Sequence, residues 1–449
     1  MTVEPTITVG VLTAAAVDFE GEFDVAGSED ALRGRARASV SGGSIVIECG
    51  GRRAEYPSGV LLSPSGGGGS SFMIHGVIIG IKFHWQRNED QRFTGALRLL
   101  AKGGDVVAIN VVPVEQYLSS VISSEMSAAS SSNLLKAHAI TSRSWLLAQL
   151  ERSGGLKEGG KRRSTTSREH DRLVRWYDRE EHDLYDVCAD DHCQRYQGVT
   201  KSYTDAVRLA VEQTRGQVVM HDGRICDARF SKSCGGITEP FGNVWQPVEI
   251  PYLVSLADIP PADRLPAYLS GPDVSGEDVA DRWIRSSPPA FCNTADARIL
   301  SQVLLKYDQE TTDFYRWKVE YTQEYLSALI REKSGIDFGA ITDLAPVERG
   351  PSGRLTLLKI VGEKKTLTIG KELEIRRTLS PSHLYSSAIV IDRLDFAGAV
   401  PGRFVLTGAG WGHGVGLCQI GAAVMGDQGY SPESILSHYF PGTAITKLY

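Results

Sequence analysis

The sequence predicts an α+β protein of several segments, on three observations. β-branched runs crowd its first quarter, two strongly periodic helices follow, and strands and helices then interleave without a regular βαβ cadence. The 449 residues are enough for about three domains at roughly 150 residues each. We expect a β-rich region over 1–110 and a core over 111–260 that holds the helix pair. A helical insertion over 261–345 and a C-terminal part over 346–449 follow, the last completing the core through a mixed sheet and a Gly-rich strand and helix.

In the first region ITVGVL, GSIVIECG, GVIIGIKFHW and DVVAINVV read as strands, each bounded by Gly, Ser, Asp or Glu, and SPSGGGGSS at 63–71 as a loop. The helix pair covers about 114–150. The Gly-rich, charged stretch at 151–170 has no apolar period and reads as an exposed flap. TDAVRLAVEQT then reads as a helix, and QVVM and ARFSKSCGGITE as strands. Residues 275–335 are mostly helical in character, with SALIREKSG closing on glycine. GRLTLLKIVG, KTLTIG and ELEIRR alternate as strands do.

Composition removes several classes of function. Hydrophobic residues at 42% and charged ones at 23% describe an ordinary folded chain, and a net charge of -6 argues against a nucleic-acid partner. No apolar run approaches the roughly 20 residues that span a bilayer. The N-terminal MTVEPTITVGVLTAAAVDFE does not read as a signal peptide, which keeps a cytoplasmic location open. Seven cysteines are too few for a disulfide scaffold at this length.

In VPVEQYLSSVISSEM, Val114, Tyr117, Leu118, Val121 and Ile122 form one apolar stripe at helical spacing, and Glu125 falls on it. Burial disfavours a charged carboxylate and raises its pKa, which is how a glutamate becomes a general acid near neutral pH. The plainer alternative is a helix-end glutamate at the rim of the core. Glu115 sits elsewhere on the wheel, where a charged residue belongs. On the second helix, Lys136, Ala139, Ile140, Arg143 and Leu147 share a face, and its two cations either seek Glu125 or reach to solvent. If Arg143 meets Glu125, it opposes the effect of burial.

TGAGWGHGVGLCQIG places glycine at 408, 410, 412, 414 and 416. Read as an extended strand, one face is bare and invites the close approach of a ligand or another backbone. Trp411 and His413 share the other face, which suits a ring stacked on sugar beside a polar group. Cys418 lies five residues from His413 with no positioning partner, so a cysteine nucleophile is not expected. His182, Cys188, His192 and Cys193 fall within twelve residues and make a plausible tetrahedral zinc set, structural because four protein ligands leave no open position. A Cys188–Cys193 disulfide, or neither, are the rivals. Cys226 and Cys234 read as buried hydrophobes.

Taken together these segments resemble the SpoIID/LytB family of bacterial cell-wall proteins. VVPVEQYLSSVISSEM with LLKAHAITSRSWLLAQ looks like its signature helix pair. FSKSCGG is similar to its Ser-rich Gly-Gly segment, and GWGHGVGLCQIGAAVMGDQGYSPESILSHYFPGT to its C-terminal Gly-His-Gly signature. The resemblance implies a lytic transglycosylase that cleaves peptidoglycan glycan strands with Glu125 as its one acid/base. Lys136, Arg143, Trp411 and His413 would then hold the glycan. It also implies zinc at the His/Cys cluster and a place in the cell envelope or periplasm. The family's other branch implies a non-catalytic enhancer of a cell-wall amidase, with that amidase as partner.

Overall fold

The computed structural model describes residues 3–66, 70–80, 86–127, 130–157, 165–176, 182–190, 192–200, 204–303 and 311–449. Its first part is an 11-stranded sheet. Alternation sets its two faces: Val17, Phe19, Phe23 and Val25 on Ala16–Val25 are all buried while their neighbours are not. The strand Thr6–Ala14 pairs antiparallel with Asp105–Pro113. That second strand runs without a break into the helix α1 (Val114–Glu125), because Pro113 holds an extended φ, ψ of -60° and 147° at the N-cap.

A row of aromatic rings ties sheet to helix. Phe19, Phe23, Phe72, Phe93, Tyr196 and Tyr117 follow one another with centroids 5.1–5.9 Å apart. Tyr117 belongs to the predicted stripe of α1, and all five residues of that stripe are fully buried. The second helix, α2 (Ser132–Lys157), packs on α1 and is longer than expected. It takes up the start of the predicted flap. Thr166–Arg168, further along that flap, forms a hairpin with Arg172–Arg175 just beyond it, and the second strand pairs parallel with Thr366–Gly370. The remainder of the flap, 158–164, lies outside the described residues.

The following helices are α3 (Asp205–Gln213), α4 (Phe241–Val244), α5 (Glu277–Arg285), α6 (Ala297–Val303) and α7 (Gln323–Ser334). The mostly helical stretch is broken by a strand, Arg316–Thr322, which pairs with Val400–Ala409. α7 ends as predicted, on Gly335 at a φ of 70°. ELEIRR is a helix and not a strand: it forms α8 (Glu372–Thr378). Glutamates in its first turn and arginines in its last suit the helix dipole, and Arg376 pairs with Glu372 at 3.2 Å one turn apart. Over six residues the alternation could not separate the two periods. α9 (Gln419–Asp427) and α10 (Pro432–Tyr439) close the chain.

Two large apolar cores result. One joins the N-terminal sheet to α1, α2 and α9; the other gathers Trp317, Tyr321, Leu326, Ile375 and the strands of 341–370. The FSKSCGG and GLC segments meet in the first core, where Phe230 and Ser231 pair parallel with Leu417 and Cys418. That pairing brings the chain's central and C-terminal motifs to one place.

Candidate functional site: a cleft with one carboxylate

A cleft of about 650 Å³ opens between the two cores, lined from one side by Glu125, Trp145 and Phe230 and from the other by Tyr321, Arg376 and Tyr385. Glu125 is the last residue of α1 and is partly buried. It is the single carboxylate among the described residues that line the cleft, against four cations, Arg195, Arg229, Lys232 and Arg376.

The electrostatics of Glu125 differ from the expectation. Burial pushes its pKa up, but Arg195, Lys232 and His138 together outweigh that and hold it below the ordinary value, helped by a hydrogen bond from the Arg195 backbone N–H. Burial lowers the pKa of His138 itself to about 4, so at neutral pH the two permanent cations carry the effect. Their presence is physically sensible. The C-terminus of α1 is the negative end of the helix dipole and its last turn holds no basic residue, so the cations must come from elsewhere in the chain. The resting carboxylate is therefore ionised, not protonated.

Arg143 is not its partner. It is fully buried and grips Glu115 with two hydrogen bonds, Nε to Oε1 at 2.9 Å and Nη2 to Oε2 at 2.6 Å. Tyr449 Oη donates to the same carboxylate at 2.6 Å and the Gly216 N–H at 3.3 Å. Glu115, read as a solvent-facing charge, is thus a buried ion pair, and Arg143 has no surface with which to touch a glycan. Lys136 is partly exposed on α2 and is not among the residues lining the cleft. The spacing gave the face of the helix correctly but not what that face packs against.

Trp411 and His413 both line the cleft. Trp411 packs against Phe314 and Tyr385, with centroids at 4.5 and 4.2 Å and planes 28° and 34° apart. Its ring is thus already packed against two protein rings on the cleft wall. His413 accepts a hydrogen bond from the Val415 N–H at 3.0 Å through Nδ1. Burial and then Arg229, Arg354 and Arg376 lower its pKa to about 3, so it is a neutral wall residue.

The glycine ladder is not an extended strand. Gly410, Gly412, Gly414 and Gly416 all have positive φ, between 72° and 94°, and form a winding loop. What approaches them is protein. A Cβ on Gly414 would lie 2.4 Å from the Arg354 guanidinium, and one on Gly416 2.2 Å from the Arg229 carbonyl. Arg354 is buried and stitches this loop to its neighbour, donating to the carbonyls of Gly412 at 3.1 Å and Cys234 at 3.0 Å.

His182, Cys188, His192 and Cys193 do converge. Their ligand atoms all lie within 4.8 Å of one another, and both cysteines stand as free thiols. Cys193 Sγ is 3.5 Å from His182 Nε2 and from His192 Nδ1, and Cys188 Sγ is 3.8 Å from His192 Nδ1. Those are the edges of a tetrahedron whose ligands stand about 2.0–2.3 Å from its centre, so the four could hold a metal ion. His192 and Cys193 also reach the cleft wall.

Sequence reasoning missed Arg195, Lys232, His138 and Trp245. The first, second and last lie in loops, where no periodicity marks them. His138 sits buried in α2, 3.1 Å from Gln419 Nε2 and with its ring 4.7 Å from that of Phe230. Trp245 Nε1 and Ser231 Oγ are buried at the cleft with no hydrogen-bond partner among the described residues. Orphaned groups of this kind cost about 1–3 kcal/mol each unless a ligand or water meets them.

The fold and cleft define an α+β protein in which, among the described residues, one acid lines a cationic, aromatic-walled groove. Residues 102–221, which carry Glu125 and the His/Cys cluster, match the family model of the stage II sporulation protein (SpoIID), and the resemblance of the chain to the SpoIID/LytB family rests on them. Residues 239–416 match a domain of unknown function (DUF8618). An amidase enhancer of Bacillus subtilis (strain 168) is 28% identical over 254 residues, 55% of this chain. The chain spans only 33% of that protein's length. An uncharacterized protein of Brachyspira hyodysenteriae is 25% identical over 353 residues, 79% of this chain and 72% of its own. The stage II sporulation protein D of Bacillus amyloliquefaciens is 21% identical over 76% of both chains. No helix among the described residues is long and apolar enough to cross a membrane.

Proposed function

We propose that this protein acts in the bacterial cell envelope as a lytic transglycosylase, cleaving the MurNAc–GlcNAc bond of peptidoglycan with Glu125 as its one acid/base. The observation that carries this reading is that, among the described residues, a single carboxylate lines the cleft. Most glycosidases need two carboxylates about 5–9.5 Å apart, one of them to act as nucleophile or to activate water. A transglycosylase needs one. Protonated Glu125 donates to the glycosidic oxygen as the C1–O bond breaks, and positive charge develops at C1. The resulting carboxylate takes the proton from the C6 hydroxyl of the same sugar, whose oxygen closes on C1 to give a 1,6-anhydro end.

The four cations suit an anionic glycan, and the unpartnered Trp245 Nε1 and Ser231 Oγ suit its hydroxyls. Anionic groups of the substrate that engage Arg195 and Lys232 would relax their hold on Glu125 and let burial raise its pKa, supplying the acid form only in the complex. His182, Cys188, His192 and Cys193 would bind zinc as a structural ion. Its role there is to fix the segment that presents Arg195.

A second reading, a non-catalytic glycan-binding enhancer of an amidase, draws on the ionised resting state of Glu125 and on the similarity to the B. subtilis amidase enhancer. Digestion of purified peptidoglycan followed by mass analysis of chain ends separates the two. Anhydro ends from the wild type and none from Glu125→Gln support the enzyme. No anhydro ends from either, with glycan retained by both and a co-incubated amidase stimulated, support the enhancer.

A further inference from the structure

We propose that Cys234, Cys292, Cys418 and Asp258 form a second metal site, for a thiophilic divalent cation of which zinc is the type, that clamps the wall of the cleft. Three thiols and a carboxylate, all buried, bring their ligand atoms within 4.8 Å of one another. Cys234 Sγ lies 3.6 Å from Cys292 Sγ and 3.3 Å from Asp258 Oδ2. A disulfide would need about 2.05 Å between sulfurs, and these separations are close to the edges of a tetrahedral thiolate site.

Backbone groups around the cluster point the same way. The N–H groups of Cys234 and Gly421 are directed at Cys418 Sγ, 3.3 and 3.5 Å away. The N–H of Gly236 is directed at Cys234 Sγ at 3.4 Å, and that of Cys292 at Asp258 Oδ2 at 3.3 Å. Four amides aimed at two of the sulfurs and the carboxylate provide for negative charge, which neutral buried thiols do not require. Tyr439 Oη donates to Asp258 Oδ1 at 2.8 Å and His438 Nε2 lies 3.4 Å from it, so the fourth ligand is also held from behind. The Gly-Gly pair after Cys234 has φ of 80° and 100°, turning the chain tightly enough for the Gly236 amide to face back on the sulfur. Cys226, buried but outside any such cluster, shows what a packing cysteine looks like in the same molecule.

The ligands come from four segments at least 24 residues apart in sequence. Lys232 and Ser231 lie just before Cys234, and Gln419, the partner of His138, follows Cys418; all three line the cleft. A cation here would hold both segments in register, as a disulfide would elsewhere but without an oxidising compartment. The inference is independent of whether the cleft cleaves glycan.

Metal analysis of the full chain, purified under reducing conditions, tests it. Two zinc ions per wild-type chain are expected, with one retained when His182→Ala and Cys193→Ser remove the first cluster. Cys234→Ser with Cys292→Ser should likewise remove one. Should that pair of substitutions unfold the protein, the wild type still answers after exchange into cobalt(II): charge-transfer absorption should correspond to five cobalt–thiolate bonds, two from the first cluster and three from the second. No metal in the chain lacking the first cluster, absorption from two thiolates only, or a Cys234–Cys292 disulfide in peptide maps of the reduced-purified protein would each overturn the proposal.

Discussion

α1 carries a glutamate near each end, and the two have opposite fates. Glu115, in the first turn, sits at the positive end of the helix dipole and is sealed against Arg143 with its hydrogen bonds satisfied. Glu125, at the last residue, sits at the negative end and opens on a cleft, its charge balanced at neutral pH by Arg195 and Lys232 from loops. One residue type on one helix thus stands as a structural anchor at one end and, in the proposed function, as the acid at the other. What separates them is whether the countercharge is locked in by packing or can be drawn off by a ligand.

The sharpest way to break this comparison is to neutralise each in turn. Glu125→Gln should lower the release of anhydro ends by about 10²–10⁴-fold, the usual contribution of a general acid, while leaving the urea midpoint nearly unchanged. Glu115→Gln should do the reverse. It strands a buried Arg143 and should cost about 3–5 kcal/mol in denaturant unfolding, with activity per folded molecule kept. If both variants lose activity and neither loses stability, the distinction drawn here is wrong.

A smaller effect sharpens the account of Glu125. Lys232→Met removes one of the cations that depress its pKa, so the high-pH limb of kcat/KM for glycan cleavage should move to higher pH. A limb that stays in place would mean Lys232 does not act on the carboxylate. The smallest effect concerns stability. Burial lowers the pKa of His413 to about 3 and of His138 to about 4, from 6.5. As pH falls the unfolded chain takes up these protons first, so the stability they contribute is complete above 6.5 and is lost as pH falls through those lower values. The melting temperature should drop between about pH 7 and pH 4, and by less in His413→Gln.

Much of the scaffold was legible in the sequence because it rests on periodicity. The stripe through Val114, Tyr117, Leu118, Val121 and Ile122 is buried as its spacing required, and Glu125 lies where that stripe meets the cleft. The His/Cys cluster was legible because its ligands are close in the chain. Arg143 was misjudged because a helical wheel gives a direction but not a depth, and its partner lay 28 residues away on the residue taken to be exposed. The glycine ladder misled for a related reason. Alternation every second residue is shared by a strand and by a loop whose glycines take positive φ in turn. Cys234, Cys292 and Cys418 carried no local signal at all, since only the folded chain brings them together.

The Arg354 stitch has a consequence for anyone who would borrow this site. The segment bearing Glu125 ends well before residue 354, yet the groove above it is built by loops that the distant arginine fastens together. Excised alone, residues 102–221 would keep the acid and lose the surroundings that give it something to act on. The portable unit is therefore nearly the whole chain, and a transplant of the helix pair into another scaffold should yield an inert graft.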